Sequence, residues 1–170
     1  VLQDWIDSRC FLSIDIETTG LNPWTEDILL IAVCECSSTV AFVFDVRVLM
    51  HQSERFKEFI AEVLTTCKFI IHNAAFELGF FLVHYGVCPK VVFDTQLASQ
   101  ILNAGLLDRN TLEVLIDRFI GEEVDKSWQR FFVTLSPYSP IPDGAIQYAA
   151  GDVTMLYRIA CLLRAELKRK

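Results

Sequence analysis

Several things are scarce in this 170-residue chain, and each scarcity removes a class of function. No apolar run approaches the roughly 18 residues that a membrane span requires. The longest candidate, DILLIAVCEC at 27–36, is too short and is interrupted by Glu35. The opening VLQDWIDSRC has neither a basic start nor a long apolar stretch, so it does not read as a signal peptide. No glycine-rich phosphate cradle and no nucleophile elbow occur, which leaves hydrolases and transferases of those kinds without support. Basic residues are few, 15 Lys and Arg against 22 Asp and Glu, which disfavours gripping nucleic acid by bulk charge. An enzyme whose own acids are neutralised by bound metal ions remains compatible with that balance. The expectation is an intracellular protein with no membrane association.

What the chain does have is apolar substance. Hydrophobic residues make up 52%, mean hydropathy is +0.36, and the length suits one domain with a sizeable core. Six cysteines (10, 34, 36, 67, 88 and 161) lie mostly within apolar runs. A chain this large needs no disulfide staples, so they read as reduced, buried thiols. Cys34 and Cys36 project from one face of a strand, but no second Cys/His pair stands at zinc spacing.

No repeat, low-complexity tract or linker divides the sequence. FLSIDIE (11–17) alternates like a strand, and DILLIAVCEC and TVAFVFDV (39–46) continue it as an antiparallel meander. SERFKEFIAEVLTTC carries Phe56, Ile60, Val63 and Leu64 at helical spacing, with Ser53 as N-cap. KFIIH is a short buried strand leading to a helix over 75–85. KVVF is another strand, after which Asp94 caps the helix TQLASQIL. Asn110 and Glu113 have capping-box spacing before NTLEVLIDRFI. A final helix spans 144–167. Three strands followed by alternating helices and strands predict an α/β domain with a mixed central sheet flanked by helices.

The acids carry the chemistry. Asp15 and Glu17 in SIDIETTGL are two apart on a strand, so both carboxylates face one way while Ile14 and Ile16 face the other. In IQYAAGDVTMLY, Tyr148 and Asp152 sit one helical turn apart. Gly151 between them weakens the helix by about 1 kcal/mol relative to Ala, which a closely packed neighbour or ligand would explain. Glu77 is a lone carboxylate in the apolar FIIHNAAFELGFF. If the strand and the two helices meet, these four carboxylates require cations. Hard oxygen ligands call for Mg²⁺ or Mn²⁺, and paired ions about 4 Å apart suit in-line phosphoryl displacement.

DIETTGL, HNAAFELGF and YAAGD resemble the three motifs of the DEDD superfamily of 3′-5′ exonucleases, with the flanking chain similar over about residues 11–165. Gln147 and Tyr148 match the Tyr-type subgroup, which includes family A DNA polymerase proofreading domains and ribonuclease D. The resemblance implies a ribonuclease-H-like fold and a single exonuclease domain over 1–170. It implies two divalent ions held by Asp15, Glu17, Glu77 and Asp152, with Tyr148 orienting the attacking water. Substrate contacts would fall on Thr18, Leu21, His72, Asn73, Lys126 and Gln129, while Trp128, Phe131 and Phe132 are aromatic candidates for stacking or for the core. His72 equally suits a satisfied histidine at a strand end. One position departs from the family: Glu77 stands where Asp is usual, moving the carboxylate about 1.5 Å outward. The implied substrate is a single-stranded or frayed 3′ end, DNA slightly ahead of RNA, with a polymerase region in cis or in trans as a partner. The alternative is an exonuclease-fold binding module whose metal site is impaired at Glu77.

Overall fold

The computed structural model describes residues 2–8, 10–36, 38–52, 54–104, 106, 109–123, 127–135 and 139–169. Five strands form one mixed sheet in the order β3-β2-β1-β4-β5. β1 (Phe11–Thr18), β2 (Ile28–Glu35) and β3 (Ala41–Asp45) run antiparallel to one another, as the alternating and β-branched runs predict. β4 (Lys68–Ile71) joins β1 in parallel, and β5 (Val92–Asp94) joins β4 in parallel. β1 is therefore central, and most of its residues are buried.

One face carries Leu12, Ile14 and Ile16 of β1 into a core with α3 (Glu54–Thr66) and α4 (Ala74–Tyr85). Ile60, Leu64, Phe80 and Phe81 supply the helical side of this core, and Trp5 of α1 (Leu2–Ser8) closes it. Phe69 at its centre is fully buried, and cutting it to Ala costs about 3–5 kcal/mol. The opposite face holds α8 (Asp143–Arg169), whose Ala145, Ala149 and Val153 pack on Leu30, Ala32 and Cys34 of β2. Small residues on α8 let its axis come close to the sheet. Phe132 of α7 (Ser127–Thr134) enters the same core. α5 (Thr95–Leu102) and α6 (Leu112–Ile120) pack along the far half of α8 through Ala98, Leu115 and Ile159. Gly86 and Gly121 end α4 and α6 at φ 72° and 77°, a left-handed conformation that favours glycine.

Several expectations need correction. Val46 leaves the strand run and opens α2 (Val46–Gln52) directly from β3. Neither α1 nor α7 was anticipated. The Ser53 cap lies outside the described residues. The cysteines are free, as expected of reduced thiols, but Cys34 and Cys67 alone among them are buried, and Cys161 is exposed on α8. No described helix is long and apolar enough to cross a membrane.

Candidate active site

β1 and α8 meet at the point where their acids lie. Asp15 and Glu17 point from β1 toward α8, and Asp152 points back from a buried position. One ligand oxygen from each of Asp15, Glu17 and Asp152 lies within 4.8 Å of the others. A register shift in the β1–β2 ladder falls between Glu17 and Thr18, with Leu29 of β2 as the extra residue. Such a bulge bends and twists the strand that carries it, and this one lies opposite the acid-bearing end of β1.

Glu77 stands outside that trio but shares its cavity. It comes from the first turn of α4 and is only 3% exposed, and its Oε2 is buried with no hydrogen-bond partner. A buried carboxylate oxygen without a donor is costly unless a cation reaches it. The N-terminal end of that helix is held by Asp94, which accepts from the Asn73 and Ala74 amides at 3.2 and 2.9 Å. The same carboxylate caps α5 through Gln96 N–H and Leu97 N–H at 2.8 and 3.1 Å. Asn73 enters α4 in the left-handed region, φ 60°, without capping through its side chain.

The clustered acids raise one another's proton affinity. Burial, then repulsion from Asp15, Asp152 and Glu77, pushes the Glu17 carboxyl up to about 10. Burial and Asp152 drive Asp15 well above the carboxylate range, and burial and Asp15 do the same to Glu77. Asp152 rises to about 6, mostly by burial, with the Tyr148 hydroxyl holding it back. Burial and the same acids raise the Tyr148 hydroxyl, so it keeps its proton at neutral pH. His72 falls to about 4 because burial outweighs the attraction of Asp94 and Glu113, and its Nδ1 sits 3.0 Å from Thr95 Oγ1.

These groups line one cavity of about 400 Å³. Thr18, Leu21, His72 and Asn73 also line it, and Leu21 is 82% exposed. The Thr18 hydroxyl is engaged, donating to Gly20 O at 2.6 Å. Lys126 and the Gln129 side chain lie outside the described atoms. Phe132 is core, and the Trp128 ring packs against Gly144. The Asn110–Glu113 capping box does not form: Thr111 is the N-cap, and buried Asn110 accepts from Ser99 Oγ at 2.7 Å. Glu113 instead lines the cavity as a fifth carboxylate, and no Lys or Arg lines it among the described residues. Its local spacing pointed to the cap, and only the fold could bring it here. Gly151 was expected to meet a closely packed neighbour or a ligand; outside its own helix backbone and chain neighbours, a Cβ built there would meet no described atom within 4 Å, which removes the packed neighbour among the described residues.

The family described as 3′-5′ exonuclease matches residues 6–168. This chain belongs to it. DNA polymerase I of Aquifex aeolicus is 28% identical over 151 residues, covering 89% of this chain and 23% of that protein. Ribonuclease D of Acidiphilium cryptum is 34% identical over 103 residues, covering 59% of this chain and 24% of that protein. The exonuclease chain thus spans about a quarter of the length of these curated relatives. Brucella melitensis NrnC with bound Mg²⁺ has the same fold, with a TM-score of 0.77 at 22% identity over 94% of this chain and 74% of that one. The mixed sheet flanked by helices agrees with the ribonuclease-H-like expectation.

Proposed function

We propose that this chain hydrolyses the terminal phosphodiester at single-stranded or frayed 3′ ends, releasing nucleoside 5′-monophosphates with the help of two Mg²⁺ or Mn²⁺ ions. The observation that carries this is the meeting of Asp15, Glu17 and Asp152 within 4.8 Å beside the unpartnered Glu77 oxygen. Asp15, Glu17 and Asp152 would hold one ion, and Asp15 with Glu77 the other. When bound, such ions lower the pKa of a water and stabilise a leaving oxygen.

The chain's own groups do the positioning. Tyr148 retains its proton and hydrogen-bonds the attacking water, orienting it without acting as its base. Leu21 offers an exposed apolar surface to the terminal base, and Asn73 stands at the mouth of the cavity. His72, neutral at pH 7, offers hydrogen bonds rather than charge. Lys126 and Gln129 are assigned to the substrate by their motif alone. DNA is the preferred strand, a choice supported by the longer match to DNA polymerase I. A polymerase region, in cis or in trans, is the partner this choice favours.

The test incubates the protein with a 5′-labelled single-stranded DNA and its RNA counterpart, each with Mg²⁺, Mn²⁺ or EDTA, beside an Asp15→Asn control. A metal-dependent ladder shortening from the 3′ end, fastest on DNA and absent from the control, is expected. Faster shortening of RNA would replace the sugar assignment. Metal-independent binding with no cleavage would favour the alternative suggested by Glu77's place outside the trio, a binding module.

A further inference from the structure

Resting on the nuclease reading above, we propose that a second cavity behind Tyr148 and Asp152 is the port through which the attacking water enters, and that Gly151 keeps it open. This cavity, about 310 Å³, lies between α6, α7 and α8. Its walls include Trp128, Gly144, Gln147, Gly151 and Met155, and it shares Tyr148 and Asp152 with the catalytic cavity. Those two residues therefore border both spaces. Both lie on the α8 face that also carries Gly144, Gly151 and Met155, as their spacing of three to four residues requires.

The two glycines on that face differ. A Cβ at Gly144 would stand 2.5 Å from Trp128 Cζ2, so the ring occupies the room that a side chain would take. A Cβ at Gly151 would meet no described atom within 4 Å. Glycine in a helix interior costs about 1 kcal/mol relative to Ala, and no packing among the described residues offsets it at Gly151. What Gly151 provides is the space itself.

The chemistry gives that space a use. In an in-line displacement the water oxygen forms the new P–O bond opposite the P–O3′ bond, which breaks with its electron pair going to O3′. One water proton ends on O3′ and the other is lost from the new phosphate to solvent. On the nuclease reading the strand would enter past the exposed Leu21, and its terminal nucleotide would then stand between solvent and the acids on that side. Tyr148, which orients the water, is reached from behind through the second cavity. Ile116, Trp128 and Met155 hold water weakly there. Glu122 and Glu123 line it with negative charge that turns phosphates away, and Arg158 pairs with Glu122 at 3.5 Å.

The test is a size series at one position: Gly151→Ala, Gly151→Met and Gly151→Leu. All three residues are better helix formers than Gly, so an activity loss cannot be charged to a weakened helix. kcat on the preferred strand is expected to fall with side-chain size, by about tenfold for Leu, with KM and calorimetric Mn²⁺ affinity unchanged. Adding Met155→Ala to Gly151→Leu clears the neighbour one turn away and is expected to return kcat to within about threefold of the wild type. An unchanged kcat in Gly151→Leu overturns the port. So does a loss accompanied by weaker KM or Mn²⁺ binding, or one that Met155→Ala does not relieve. A wild type that cleaves neither strand overturns the nuclease reading itself, a failure visible before any variant is made.

Discussion

Replacing Asp152 by Asn should make the metal-free protein more stable at pH 8. The Asp152 carboxyl stands at about 6 against an ordinary value of 3.8, because burial strips its water and the Tyr148 hydroxyl only partly compensates. A difference of about 2, at about 1.36 kcal/mol each, is about 3 kcal/mol of cost for the ionised form. The folded-state value lies above the unfolded one, so the folded protein binds the proton more tightly. The cost is therefore absent below about pH 4, grows between pH 4 and 6, and is complete above that window. Asn cannot ionise and escapes it. For a chain of this size about 3 kcal/mol corresponds to roughly 6–12 °C in Tm. Calorimetric melting in EDTA should show the two proteins close together at pH 4 and Asp152→Asn higher by that amount at pH 8. Saturating Mn²⁺ should reverse the order, since the wild type gains binding energy that the variant, short of a ligand, cannot. Should Asp152→Asn melt at or below the wild type in EDTA at pH 8, the ionised carboxylate is already compensated within the protein, and the case for a cation at this site is refuted.

Three further outcomes follow from the same geometry. Glu77→Asp withdraws the carboxylate by more than 1 Å on a helix whose N-terminal end Asp94 holds, so kcat should fall about a hundredfold while the fold melts normally; undiminished cleavage would show that α4 can shift to follow it. Asp94→Ala removes the caps of α4 and α5 together, at about 0.5–2 kcal/mol each, and denaturant unfolding should register a loss of about 1–4 kcal/mol. Because Glu17 stands at about 10, Mn²⁺ binding at pH 7 must expel its proton; calorimetry in buffers of different ionisation enthalpy should detect the release, and affinity should rise with pH.

Much of this was legible in local pattern. Alternation in 11–17 placed Asp15 and Glu17 on one face, and the four-residue step placed Tyr148 over Asp152, because those periods are properties of the backbone itself. The missed features depend on distant partners. The strand reading ran one residue too far, to Val46, because no glycine or proline marks the turn into α2, and the helix itself went unread. Asn110 and Glu113 have the right spacing for a cap, but Ser99, eleven residues earlier, takes Asn110 and leaves Glu113 to the cavity. The bulge beside Glu17 is a register fact between two strands, which neither strand states alone. At Gly151 the sequence called for a packed neighbour or a ligand, and only the fold shows that no described neighbour outside the helix takes that place.

The acid-lined cavity holds five carboxylates and, among its described lining residues, no Lys or Arg, in a chain of net charge −7. Nucleic-acid proteins usually hold the backbone by releasing its counterions, which makes them slide along it and weaken steeply with salt. No described residue of this lining supplies such a hold, so within it the attraction for a phosphate would fall to divalent ions held by Asp15, Glu17, Glu77 and Asp152. On the proposed reading, shortening of a 3′ end is expected to depend more steeply on divalent-ion concentration than on ionic strength, which a salt series at fixed Mn²⁺ would measure.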